Sequence, residues 1–167
     1  MKECLTLKEF LTLSKTHSRV VVFQEVVADT VTPISVYHAL VDDMQGATLL
    51  ESVVHEAVLG RYSFLGFSRI VQFAAKGCQL TLRVNGETAQ ITDDPWQVLR
   101  ALQQEYGCQG LHPLSGFAGG AVGYLSYDAI RLFEGIPDRH PDEDDLPDLL
   151  FNFYPSSRKT SSLRWRI

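Results

Sequence analysis

Gln79-Leu80-Thr81-Leu82-Arg83-Val84-Asn85-Gly86-Glu87-Thr88-Ala89-Gln90-Ile91 is the stretch that decides the fold class. Asn-Gly is the preferred pair for a two-residue type I′ turn, because both central positions need positive φ. Placing the turn there sets the register. Val84 faces Glu87, Leu82 faces Ala89 and Leu80 faces Ile91, which keeps one side largely apolar. An antiparallel hairpin is therefore predicted from Gln79 to Ile91.

Working outward, Asp94-Pro95-Trp96-Gln97 reads as a helix start: a capping acid, then proline at a position whose amide would have no partner. Trp96, Leu99, Leu102 and Tyr106 recur at helical spacing, and Gly107 ends the run. Phe117 to Tyr127 reads as a glycine-interrupted apolar strand. Asp128 caps a short helix through Phe133, with Gly135 as its stop, and Leu149 to Tyr154 reads as a last strand. Toward the start of the chain, Thr6-Leu7-Lys8-Glu9 is a capping box opening a helix to about Lys15. Val20 to Phe23 reads as a buried strand, and Thr32-Pro33 starts a second helix carrying Val36, Tyr37, Leu40 and Val41. Ala47 to Leu50 and Tyr62 to Gly66 read as short strands. Regular βαβ alternation and internal repeats are absent from the sequence, so a doubly wound parallel sheet is not expected. The fold class is α+β, mainly antiparallel sheets with a few peripheral helices.

Composition sets the class of molecule. The chain has 167 residues, 45% hydrophobic and 21% charged, with net charge −5, which fits a soluble globular protein able to bury its own core. The acidic balance argues against nucleic acid, which a basic patch would serve. The apolar runs fall short of the about 18 residues of a membrane span. Met1 to Phe10 lacks the apolar core of a secretory signal. Cys4, Cys78 and Cys108 are odd in number and widely spaced, which fits unpaired thiols in a reducing cytoplasm.

Several segments carry polar chemistry. Glu51-Ser52 ends an apolar strand, where an acid and a hydroxyl can bind the ammonium and carboxylate of an amino acid through charge-assisted hydrogen bonds; a polar strand end entering a loop is the plainer reading. Arg61-Tyr62-Ser63, between Gly60 and Gly66, could hold an anion or simply turn into a strand. Gly116 to Gly123 lacks both the Gly-Lys-Ser/Thr ending and the G-x-G-x-x-G spacing of phosphate loops. Glycines inside a strand instead mark bulges or close approach of another backbone. Asp142-Glu143-Asp144-Asp145 lacks the alternation and central glycine of a calcium loop and reads as a solvated acidic loop. His17, His38, His55, His112 and His140 have no ligand spacing, so the sequence presents no catalytic constellation and no metal site.

The order of these pieces is itself informative. Thr32-Pro33-Ile34-Ser35-Val36-Tyr37 is followed by Leu49-Leu50-Glu51-Ser52 and then Gly60-Arg61-Tyr62-Ser63-Phe64-Leu65-Gly66. Gly119-Gly120-Ala121-Val122-Gly123-Tyr124-Leu125-Ser126-Tyr127-Asp128 and Leu146-Pro147-Asp148 come later. This succession resembles the amino-terminal region of anthranilate synthase component I, from Leu5 to about Tyr154.

The resemblance implies a lyase of tryptophan biosynthesis. It makes anthranilate from chorismate, with Mg2+ and with ammonia from a glutamine amidotransferase subunit (component II). It also implies feedback by L-tryptophan at a site built from Ser52 and Glu51, with Arg61, Tyr62 and Ser63 nearby. Aminodeoxychorismate synthase component I shares the segment ending in Tyr127-Asp128, and a free-standing amino-acid-binding module would use the same effector residues; both stay open. The chorismate- and magnesium-binding residues of the family lie in a carboxy-terminal region that this chain does not contain, so residues 1–154 are expected to be a regulatory domain without catalysis or cofactor. Residues 155–167, basic and serine-rich, depart from the resemblance and read as a disordered tail or a product of truncation. The family's sheets join strands from both regions, so exposed strand faces are expected to favour a homodimer or marginal solubility.

Overall fold

The computed structural model describes residues 6–16, 20, 29–41, 46–51, 62–106, 120–137, 142, 144–154 and 162–166. The chain divides into two compact units. One is drawn from Met1–Arg69, Gly107–Gly120 and Tyr154–Ile167, the other from Ile70–Tyr106 and Ala121–Phe153.

The second unit is built on a five-stranded sheet. Its strands are β3 (Val71–Lys76), β4 (Gln79–Val84), β5 (Glu87–Thr92), β6 (Gly120–Leu125) and β7 (Leu149–Tyr154), in the order β5-β4-β3-β7-β6. Central β3 pairs antiparallel with both neighbours. Phe73 lies opposite Leu82 on one side and Phe151 on the other, and Val71 lies opposite Val84 and Phe153. Side chains alternate across a strand, so Val71, Phe73 and Ala75 share one face and are buried, with Leu80, Leu149 and Phe153 beside them. Helix α3 (Pro95–Tyr106) lays Trp96, Leu99, Leu102 and Tyr106 against this cluster. A 3₁₀ turn (Tyr127–Leu132) adds Ala129 and Leu132.

The hairpin has the predicted register: Val84 opposite Glu87, Leu82 opposite Ala89, Leu80 opposite Ile91. Asn85 and Gly86 have φ of 50° and 90°, the positive values that the turn demands. The apolar side runs out at β5, however. Every residue of this edge strand is exposed, Ile91 included, because the core cluster covers the sheet only as far as β4. Helix α3 starts where Asp94-Pro95 predicts, with Asp94 Oδ1 accepting from the Trp96 amide at 2.8 Å. Asp128 does not cap the turn that follows β6. Ser126 occupies the cap position, and Asp128 pairs with Arg131 at 3.2 Å inside the turn.

Strand β3 is the element the sequence reading passed over. Its signal is Val71, Phe73 and Ala75 at period two, but Gln72 and the small Ala74 between them leave no long apolar run to mark a strand. With β7, β3 is one of the two most buried strands of the sheet.

The first unit holds α1 (Leu7–Leu13), α2 (Pro33–Val41) and a three-stranded antiparallel sheet. The strands are β1 (Thr48–Leu50), β2 (Tyr62–Gly66) and β8 (Ser162–Arg166), in the order β1-β2-β8. The capping box forms as read: the Glu9 carboxylate accepts from the Thr6 amide at 2.8 Å, and Thr6 Oγ1 accepts from the Glu9 amide at 3.3 Å. The Thr6 amide, and after it the Thr6 hydroxyl, which donates to the same carboxylate at 2.7 Å, hold the Glu9 carboxyl below its ordinary value. A reciprocal pair between Thr32 and Ser35 opens α2. The strand expected at Val20 to Phe23 lies almost wholly outside the described residues, as do residues 155–161 of the expected tail. Within that stretch, Ser162–Arg166 forms β8. It pairs with all five residues of β2, from Tyr62 opposite Arg166 to Gly66 opposite Ser162. The physical reason is that a strand edge offers unpaired amides and carbonyls to any extended segment in reach, a non-local partner that composition does not reveal.

Candidate functional site

The residues nominated from sequence as an amino-acid site were Ser52, Glu51, Arg61, Tyr62 and Ser63. Strands β1 and β2 pair with Thr48 opposite Gly66, Leu49 opposite Leu65 and Leu50 opposite Phe64. Continued by one residue, that register sets Glu51 against Ser63. Ser63 Oγ donates to Glu51 Oε1 at 3.5 Å. Ser63 is 3% exposed and shares its strand face with buried Leu65, whereas Glu51 is exposed. The pair thus joins a sheltered hydroxyl to a carboxylate open to solvent. A carboxylate offers about four lone-pair sites, so this long bond, the one it accepts among the described residues, leaves capacity to accept from an ammonium group. Tyr62 opens β2. Ser52 and Arg61 lie outside the described residues.

The far end of the same short ladder is closed by Tyr154, a buried member of this unit. Its ring lies on Gly66, where an added Cβ would meet ring carbons at 3.1–3.2 Å. Its hydroxyl donates to the Gly46 carbonyl and is bonded to Thr48 Oγ1.

The other polar segments have structural explanations. In the glycine-rich strand, a Cβ on Gly123 would stand 1.8 Å from the Leu150 carbonyl oxygen, so the residue is glycine because β7 passes too close for a side chain. Asp148 is a knot within the five-stranded unit. Its amide donates to the Ala75 carbonyl and its carbonyl accepts from the Ser126 amide, both at 2.7 Å. Its carboxylate accepts from the Gly77 amide at 2.8 Å and from Ser126 Oγ at 3.4 Å. Two motifs far apart in sequence, Tyr124 to Asp128 and Leu146-Pro147-Asp148, therefore meet at one residue. Asp142, Asp144 and Asp145 of the acidic loop are exposed, as a solvated loop requires, and Asp142 and Asp145 both bind Lys76 at the surface. Asp142, and after it Asp145, holds the Lys76 ammonium well above its usual pKa. Lys76 in turn holds the Asp142 carboxyl below the usual range. Among the described residues, no group of three or more His, Cys, Asp or Glu side chains could hold a metal ion, and no helix is long and apolar enough to cross a membrane. Of the histidines only His38 is described; it meets the Tyr37 ring edge-on.

No protein-family model matches the chain. Curated relatives do match it. Anthranilate synthase alpha subunit 2, chloroplastic, of Arabidopsis thaliana is 35% identical over 160 residues, covering 87% of this chain and 26% of the relative. Anthranilate synthase component 1 of Acetivibrio thermocellus is 32% identical over 149 residues, 89% of this chain and 30% of the relative. That of Thermus thermophilus is 40% identical over 126 residues, 74% and 26%. Among solved structures, anthranilate synthase component I from Streptococcus pneumoniae TIGR4 aligns with a TM-score of 0.49 at 26% identity, over 86% of this chain and 29% of its own. The chain thus spans between about a quarter and a third of the length of the curated relatives it matches.

Proposed function

Over most of its length this chain is homologous to anthranilate synthase component I, and from that premise we propose that it is the family's amino-terminal regulatory part, a binding site for L-tryptophan. The observation that carries the reading is the meeting of Glu51 and Ser63 at the end of the β1–β2 ladder. The two residues come from separate sequence motifs, and the register brings them onto one face.

The chemistry is that of amino-acid recognition. The Glu51 carboxylate receives the ligand ammonium through charge-assisted hydrogen bonds, and Ser63 orients that carboxylate. Ser52 supplies a hydroxyl next in the chain, and Arg61 receives the ligand carboxylate. Apolar neighbours hold the indole, as small-ligand sites are lined mainly by apolar side chains around a few polar groups. Conversion of chorismate to anthranilate, and docking of a glutamine amidotransferase subunit, are proposed for the longer protein. The described residues do not fit a magnesium site, so no step is assigned to the metal here, and the chain alone is expected to form no anthranilate.

Calorimetric titration of L-tryptophan into the purified chain, with Ser52→Ala as control, tests the reading. Saturable binding that Ser52→Ala abolishes or weakens at least tenfold supports it. A folded chain that gives no heat of binding up to millimolar tryptophan, or one whose binding is indifferent to Ser52→Ala, sinks it.

A further inference from the structure

We propose that Tyr154 is a positioning residue that sets the register of β1 on β2 and thereby holds Glu51 opposite Ser63; this deepens the effector-site reading and rests on it. Among the described residues, β1 is an edge strand of three residues with β2 as its one neighbour in the sheet. So short a ladder specifies its register weakly. A slip of one residue would move every side chain of β1 to the opposite face. Glu51 would then face Tyr62 or Phe64 in place of Ser63, and the paired hydroxyl and carboxylate would be lost.

Tyr154 prevents that slip by gripping one cross-strand pair from both sides. Thr48 and Gly66 are directly opposite. The ring lies on Gly66, which has no side chain to keep it away. The hydroxyl carries one proton, which goes to the Gly46 carbonyl, so Thr48 Oγ1 donates to the tyrosine oxygen in turn. Gly46 and Thr48 flank the point where the chain enters β1, and Gly46 has φ of 85°, a left-handed value that glycine adopts readily. Entry angle and register are therefore fixed together. The Glu51–Ser63 pair sits three residues further along, about 10 Å at the rise of an extended chain. Directly opposite residues share a face, so the Thr48–Gly66 pair and the Glu51–Ser63 pair lie on opposite faces. Tyr154 therefore acts through the strand backbone and makes no contact with the ligand.

Tyr154→Phe removes the hydroxyl and keeps the ring on Gly66. In the full chain, hydrogen exchange of those β1 amides that bond to β2, alternate ones along the strand, should quicken about tenfold or more, the loss expected for two hydrogen bonds, while Phe73 in β3 is unchanged. L-Tryptophan affinity should fall at least fivefold. Because Tyr154 works through the Glu51–Ser63 pair, Tyr154→Phe combined with Ser63→Ala should weaken binding no more than the stronger single change. Gly66→Ala, which pushes the ring out, should reproduce the exchange effect. Unchanged exchange in β1 overturns the proposal, as does an affinity loss without faster exchange or one that adds fully to that of Ser63→Ala. A native chain that binds no tryptophan removes the effector reading alone, because exchange in Tyr154→Phe still decides whether the register depends on this hydroxyl.

Discussion

Replacing Gly123 by alanine probes a backbone approach that leaves no room for a side chain. The new Cβ would stand 1.8 Å from the Leu150 carbonyl oxygen and 2.7 Å from Phe151 Cα. Ordinary contact begins near 3.4 Å, so the gap must open by 3.4 − 1.8 = 1.6 Å. Neither obstacle is a flexible side chain. The strands themselves must part, and with neighbouring strands about 4.8 Å apart a displacement of that size breaks the hydrogen bonds around the site. Overpacking against a rigid wall costs about 1–3 kcal/mol, and each lost ladder bond adds about 1 kcal/mol. The sum, about 3–5 kcal/mol, is a large fraction of the 5–15 kcal/mol that holds a typical protein folded. Urea unfolding of the full chain, followed by circular dichroism, reads it directly. Gly135→Ala is the matched control, since a Cβ there meets nothing within 4 Å; it should be neutral or stabilise by up to about 1 kcal/mol. A Gly123→Ala midpoint indistinguishable from that of Gly135→Ala would refute the close approach of β6 and β7, and with it the steric account of the glycine-rich strand.

Asp148→Ala should destabilise by about 1–3 kcal/mol, because the Gly77 amide loses its acceptor; thermal melting checks it. Gly86→Ala should cost about 1–2 kcal/mol, since φ of 90° leaves open space around the Cβ but places an L-residue in left-handed backbone; paired urea melts with the native chain read the difference. The Asp142 carboxyl is held low by Lys76, so its contribution is present above the ordinary aspartate range and is lost as pH falls through the depressed folded value. A carbon-detected NMR titration should show Asp142 titrating below ordinary aspartate, and Lys76→Met should return it upward.

How much of this was legible beforehand depended on the range of the interaction that decides each element. The Asn85-Gly86 turn, the Asp94-Pro95 start of α3 and the Thr6–Glu9 capping box are settled by residues within a few positions of one another. Their hydrogen bonds and φ preferences act whatever the rest of the chain does, and strand β2 and the hairpin register were read with the right bounds for the same reason. Membership of β3 at the centre of its sheet, the pairing of Ser162–Arg166 with β2, and the wall that Leu150 presents to Gly123 depend on which distant backbone arrives alongside. No local pattern states that. The candidate site divides in the same way. The sequence, through its resemblance, nominated Glu51, Ser52, Arg61, Tyr62 and Ser63 as residue types suited to an amino acid. That Glu51 meets Ser63, and that Tyr154 from far along the chain closes the ladder that makes them meet, was decided only by tertiary structure, because strand register is a property of two segments and neither contains it alone.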